Sequence, residues 1–222
     1  MNEIPSRLRS LSDLDPKRRL FGADHHDYKL NAPVDPIILG KIEKLVGCGL
    51  PEDYRSLLCV GNGGAGPYYG AMPLEGSISW IESSYGSLTP LSQDSPLTET
   101  IDISALCNSP APADWNEHRP RLESDVTYRA CYEKYQAKYL DEPWCNGRLP
   151  IVEYGCGEWF FLLVRGPARG TAWVDALNSC SGLFNLRVDF ATFYHRWLID
   201  PSSRLKAHNF SPGGGSSEFG NS

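Results

Sequence analysis

Residues 149–175 read LPIVEYGCGEWFFLLVRGPARGTAWVD. Three apolar stretches, 149–154, 158–165 and 170–175, are rich in β-branched and aromatic residues and shorter than an ordinary helix, so they predict strands. Gly155-Cys156-Gly157 and the run from Gly166 to Gly170 punctuate them as turns. A fourth strand is expected at 183–188.

The flanks of this stretch read as helix. Asp189 is a capping acceptor, and Phe190, Phe193, Tyr194, Trp197 and Leu198 then recur at i, i+3, i+4, i+7, i+8. Such a stripe has to pack on the sheet. Upstream, Asp35 and Pro36 open a helix whose Ile38, Ile42 and Leu45 follow helical spacing until Gly47 and Gly49 stop it. A second helix starts at Leu50-Pro51-Glu52-Asp53, turns Tyr54, Leu57 and Leu58 to one face, and ends at Gly61. A short helix is expected around 5–14 and another within 128–139. Residues 77–81 partly alternate and read as a strand, and 83–148 is the least regular stretch. Helices, then strands, then a helix, without β-α alternation, predict an α+β fold: a twisted, mostly antiparallel sheet flanked by N-terminal helices and a C-terminal helix. The expected organisation is an N-terminal segment (1–19), one domain (20–200) with an acidic insertion at about 83–148, and a flexible tail (201–222).

Of 222 residues, 41% are hydrophobic and 22% charged, an ordinary globular balance. The seven cysteines are odd in number, form no C-x-x-C and lack zinc-finger spacing to histidine, which points to free thiols in a reducing compartment. Cys59, after Leu57 and Leu58, reads as a small core hydrophobe. Residues 1–30 are charged throughout and lack the apolar stretch of a signal peptide, and the longest apolar run, 159–164, is too short to cross a bilayer. The cytoplasm is the expected location. Net charge is −6, and residues 75–158 alone hold 14 acidic and 6 basic side chains. That face repels nucleic acid and steers a basic protein towards it, unless it is merely a solvated loop surface.

No pattern of residues demands catalysis. Gly61-Asn62-Gly63-Gly64-Ala65-Gly66 matches the dinucleotide fingerprint, but that chemistry needs a strand before it and a helix after it. Here a helix precedes and Pro67-Tyr68-Tyr69 follows, so a loop needing positive φ explains the glycines better. His25-His26-Asp27 lacks a third metal ligand placed by sequence. His195 flanks an apolar stripe and is expected to hydrogen-bond locally. Glu153 and Glu158 flank a turn and are read as facing each other across it, more often a solvated pair than an acid/base one. No cofactor or metal is expected.

Leu50-Pro-Glu-Asp-Tyr-Arg55, Leu57-Leu58 and Gly61-Asn-Gly-Gly64 resemble the SUKH superfamily of Smi/Knr-like domains. Tyr154-Gly-Cys-Gly157, the run 159–164, Gly170-Thr-Ala-Trp-Val-Asp175 and the last helix with Phe193 and Trp197 resemble it too, as do Phe21-Gly22, Tyr28 and Leu30 upstream. The resemblance covers roughly 20–200 and implies an α+β domain around a twisted sheet. Its bacterial members are mostly immunity proteins that bind and neutralise a cognate toxin, often a nuclease; its fungal members regulate cell-wall assembly. The long stretch 83–148 departs from the minimal domain.

The resulting expectation is a binding protein, not an enzyme, and a monomer rather than an oligomer. Its partner is expected to be a basic toxin; the alternative is a general regulatory or scaffold protein. Contact candidates are Tyr68 and Tyr69, displayed by the glycine loop, with Trp80, Trp115, Tyr128 and Trp144 as anchors unless they prove to be core. Glu82, Asp94, Asp114, Glu117, Glu123 and Asp125 form the expected charged rim.

Overall fold

The computed structural model describes residues 3–102, 115–130, 133, 144–155, 157–177 and 182–201. Five helices come first: α1 (Ile4–Leu14), α2 (Ala23–His26), α3 (Pro36–Val46), α4 (Glu52–Val60) and α5 (Leu74–Tyr85). A 3-10 turn (Thr89–Ser92), the two-residue β1 (Ile101–Asp102) and α6 (Trp115–Ser124) lead into β2 (Arg148–Gly155), β3 (Glu158–Leu163), β4 (Thr171–Ala176) and β5 (Gly182–Asp189). The chain then turns directly into α7 (Phe190–Ile199).

The strands form one sheet in the order β1-β5-β4-β3-β2, and every pairing is antiparallel. β2 to β5 are a meander, as their short turns require, so the fold is α+β. Alternation along β3 sends Phe160 and Leu162 to one face and Phe161 and Leu163 to the other, and all four are buried. The first face meets α1, α3, α4 and α7 through Ile4, Leu39, Ile42, Leu57, Leu58, Phe193 and Trp197. The second face, with Trp173 and Leu183, is covered by Leu97 and flanked by Ile101 and Trp144. Burial on both faces explains why the run 159–164 is apolar without a break.

Side-chain caps fix the helices. Asp35 accepts the Ile37 amide at 2.8 Å, and Asp189 accepts that of Thr192 at 2.7 Å. Asp53, in the first turn of α4, accepts the Ala191 amide at 2.7 Å and so binds two helices together. Tyr54, Leu57, Leu58, Phe193 and Trp197 share one core, with the Tyr54 and Phe190 rings 4.9 Å apart.

Three expectations are corrected. Residues 77–81 are helical, part of α5. Leu74, Ser77 and Ile81 are its buried positions, a helical period, and Gly86 at φ 70° ends it. Cys59 is exposed, because the turn that buries Leu57 and Leu58 carries the next residue outward. His195 is exposed on the outer side of α7.

On the second face, the buried Arg148 of β2 crosses β3 to pair with Asp175 of β4, its guanidinium lying 4.1 Å from the centre of the Phe161 ring. No helix among the described residues is long and apolar enough to cross a membrane.

Candidate functional site

The glycine loop is sewn onto the free edge of β2. Gly64 and Ala71 exchange two backbone hydrogen bonds of 2.8 Å, the Met72 amide donates to the Ile151 carbonyl at 2.8 Å, and the Ala65 amide donates to that of Lys29 at 2.7 Å. Gly63 has φ 77°, and a Cβ there would stand 2.6 Å from the Ala71 carbonyl oxygen. The glycines therefore serve close backbone packing. Buried Asn62 closes the loop: its Oδ1 accepts the Leu74 amide at 2.7 Å, opening α5, and its Nδ2 donates to Glu75 at 2.6 Å. From the far side, the Tyr194 hydroxyl donates to the Ala65 carbonyl at 2.6 Å.

This anchored loop splits the two tyrosines that follow it. Tyr68, at φ 53°, turns inward and is buried, its ring stacked 5.1 Å from Phe160 and edge-on to Tyr154 at 4.6 Å. Tyr69 turns outward and is 36% exposed. Phe21, 45% exposed, lies 5.1 Å from the Tyr69 ring. Exposed His25 stands edge-on to Tyr69 at 4.8 Å. Beneath, the Tyr69 ring rests on Gly155, where a Cβ would come within 3.1 Å of it.

The segment carrying Phe21 and His25 is held by a polar network. Asp15 accepts the amides of Arg19 at 2.8 Å and Leu20 at 3.1 Å and the Tyr28 hydroxyl at 2.8 Å. Burial raises the Asp15 carboxyl, but these donors and Arg18 outweigh it and hold it below the usual carboxylate range. Arg18 reaches the Asp15 carbonyl at 2.6 Å and the Asp27 carboxylate. Arg18, Asp27, Tyr28 and Tyr68 are four of the five described non-glycine residues with positive φ. Each such conformation costs on the order of 1–3 kcal/mol, and strain of this kind clusters at binding sites. Gly22 has no alternative residue: a Cβ there would overlap the Tyr68 carbonyl oxygen at 1.5 Å.

A second aromatic cluster joins α5 to β3. Trp80 and Trp159 are half-buried with rings 5.2 Å apart, and Tyr85 lies 5.8 Å from Trp80. Glu153 pairs with Trp159 across the strands, so the two share a face, and Glu153 is exposed. Glu158 pairs with Gly155, faces the first core and is 3% exposed. The expected face-to-face carboxylates are therefore on opposite faces, because a bulge at Tyr154 offsets the register.

The remaining contact candidates ride on separate elements. Glu82 is exposed on α5 two residues past Trp80, which places it on the opposite flank of that helix. Exposed Asp94 pairs with Arg165 at 2.9 Å. Asp114 is outside the described residues, and Trp115 and Glu117 lie in the first turn of α6. Glu123 is exposed, whereas Asp125 is half-buried and 3.8 Å from Arg121. Tyr128 is buried beneath the Arg121 guanidinium, 4.2 Å from its ring centre, and Trp144 packs on the second core. Phe21, His25, Trp159 and Glu153 were not among the candidates. The adjoining Gly22 and Gly155 were the available signals, both positions where a side chain has no room.

A sequence profile of the SMI1 / KNR4 family (SUKH-1) matches residues 33–174. No curated protein and no solved structure matches the chain. The matched region runs from the approach to α3, through the glycine loop, to the centre of β4, and so contains Tyr69 and the Trp80–Tyr85–Trp159 cluster, while Phe21 and His25 lie before it. The chain belongs to the SMI1 / KNR4 family (SUKH-1).

Proposed function

We propose that this chain is an immunity protein that binds a cognate bacterial toxin, a basic protein such as a nuclease, and neutralises it by direct contact. On this reading it acts as a monomer in the cytoplasm and performs no chemistry of its own. The observation that carries the reading is the exposed Tyr69–Phe21–His25 cluster, held on a strained backbone and backed by glycines that admit no side chain. Aromatic anchors of this kind supply much of the energy of protein interfaces, and a pre-formed surface loses less entropy on binding. The net charge of −6 adds long-range attraction for a basic protein. Membership of a family that includes immunity proteins supports the same assignment.

Co-expression with a candidate basic toxin, taken from a neighbouring reading frame if one encodes it, tests the reading. The expected result is rescue of growth and a complex that co-purifies. Reversing Glu82, Asp94 and Glu123 to lysine should slow association several-fold at low salt while leaving the circular dichroism spectrum intact. Binding without rescue would instead favour a regulatory or scaffold role.

A further inference from the structure

The turn between β2 and β3 is where the two aromatic clusters meet. On one face, Tyr69 rests on Gly155, with Phe21 and His25 beside it. On the other, Glu153 stands across from Trp159, with Trp80 against that indole. β2 is the last strand of the sheet, so the turn lies at a sheet corner flanked by rings on both sides. Glu153 is the exposed carboxylate at that corner, and no cation of the described residues pairs with it. Three other described carboxylates near the two clusters are occupied: Glu75 by Asn62, Asp27 by Arg18 and Lys29, and Asp175 by Arg148.

We infer that this corner is the contact surface for a basic protein and that it receives an arginine or lysine side chain, with Glu153 as counter-ion and the cross-strand Trp159 ring as its wall. The inference rests on the binding role proposed above and names the chemistry recognised there. A carboxylate paired across the strands with an indole can hold a guanidinium or ammonium through a charge-assisted hydrogen bond and a cation–π contact together. The chain already uses this chemistry internally: Arg148 lies on Phe161 while pairing with Asp175, and Arg18 lies on Tyr28 while pairing with Asp27. At the corner the carboxylate and indole are present, and the cation is left for a partner. A second copy of the chain is the poorer occupant, since both copies carry −6.

The probe is acetyl-Gly-Arg-Gly-amide, with the isosteric, uncharged citrulline peptide as control, titrated into the full chain at low salt and followed by amide and indole N–H resonances. The arginine peptide should give saturable shifts at Glu153, Trp159 and Trp80. The citrulline peptide, and the arginine peptide on Glu153→Gln, should bind at least tenfold more weakly. Because Glu153 is exposed, the variant should keep the wild-type unfolding midpoint. Equal response to both peptides, shifts centred on another surface, or no shift would each overturn the assignment. Glu153→Lys separates the two levels. If that variant still neutralises the toxin that the wild-type chain neutralises, the corner assignment fails and the immunity role stands. If the arginine peptide seats at the corner but no toxin is bound, the surface stands and the immunity role fails.

Discussion

His26 sits where the base of the Tyr69 cluster meets the C-terminal helix. Its Nδ1 accepts the Tyr28 amide at 3.0 Å, its ring stands edge-on to Trp197 at 5.7 Å, and a Cβ on Gly70 would come within 3.4 Å of it. The ring must be neutral to accept that amide. Burial, helped by the positive charge of His25 and Arg18 and opposed by Asp24 and Asp27, lowers its pKa from 6.5 to about 4. Between those values the unfolded chain binds a proton that the folded chain does not. Stability is therefore complete above about pH 6.5 and falls as the pH drops towards 4. The expected loss between pH 7.5 and pH 5 is about 2 kcal/mol in urea titrations. Asp15 and Asp189 are held below 3.8, so their contributions are lost only in stronger acid and leave this window to the histidine. His26→Gln, whose amide oxygen is still an acceptor, should abolish most of the slope. An unchanged slope would place the titrating group elsewhere.

At the scale of elements, α7 shows why some of the fold was legible. Its cap, its stripe and its length are all local, and each points the same way. Trp197 contacts both Tyr194, at 5.5 Å, and His26 on the glycine-loop side. Trp197→Ala is expected to cost roughly 3–5 kcal/mol by denaturant titration; a loss under about 1 kcal/mol would show that the helix does not depend on this contact. The strands 149–154, 158–165 and 170–175 were legible for the same local reasons. The helix α5 was not, because Ser77 occupies one of its core positions. That side chain is fully buried and donates to the Pro150 carbonyl at 2.7 Å, a polar contact that interrupts the apolar stripe and leaves an apparent alternation. The site divides in the same way. Tyr69 was legible because it follows a loop whose glycines announce themselves. Phe21, His25, Trp159 and Glu153 join it only through pairings between distant segments, and Glu153 was set opposite the wrong residue because the bulge at Tyr154 has no sequence mark.

At the scale of the whole molecule, β3 belongs to both cores. Phe160 and Leu162 lie in the helix-covered core, Phe161 and Leu163 in the second, and all four are at most 1% exposed. Neither face can be uncovered without exposing the strand that the other face needs. The Arg148–Asp175 pair strengthens this dependence by joining β2 to β4 across β3. The described cores should therefore unfold as one unit rather than as a helical layer followed by a sheet. Trp173 reports the second core and Trp197 the first, so 19F resonances of 5-fluorotryptophan at the two positions should vanish at one urea concentration. Asp175→Ala makes the comparison stricter. It leaves the guanidinium of a side chain only 5% exposed without its counter-charge, a loss expected to cost roughly 3–5 kcal/mol. Although the substitution lies on the second face, the resonance of Trp197 should move to lower urea as far as that of Trp173. If only Trp173 moved, the two faces would be independent, and the helical layer bearing Phe21 and His25 could loosen without disturbing the strand that supports Glu153.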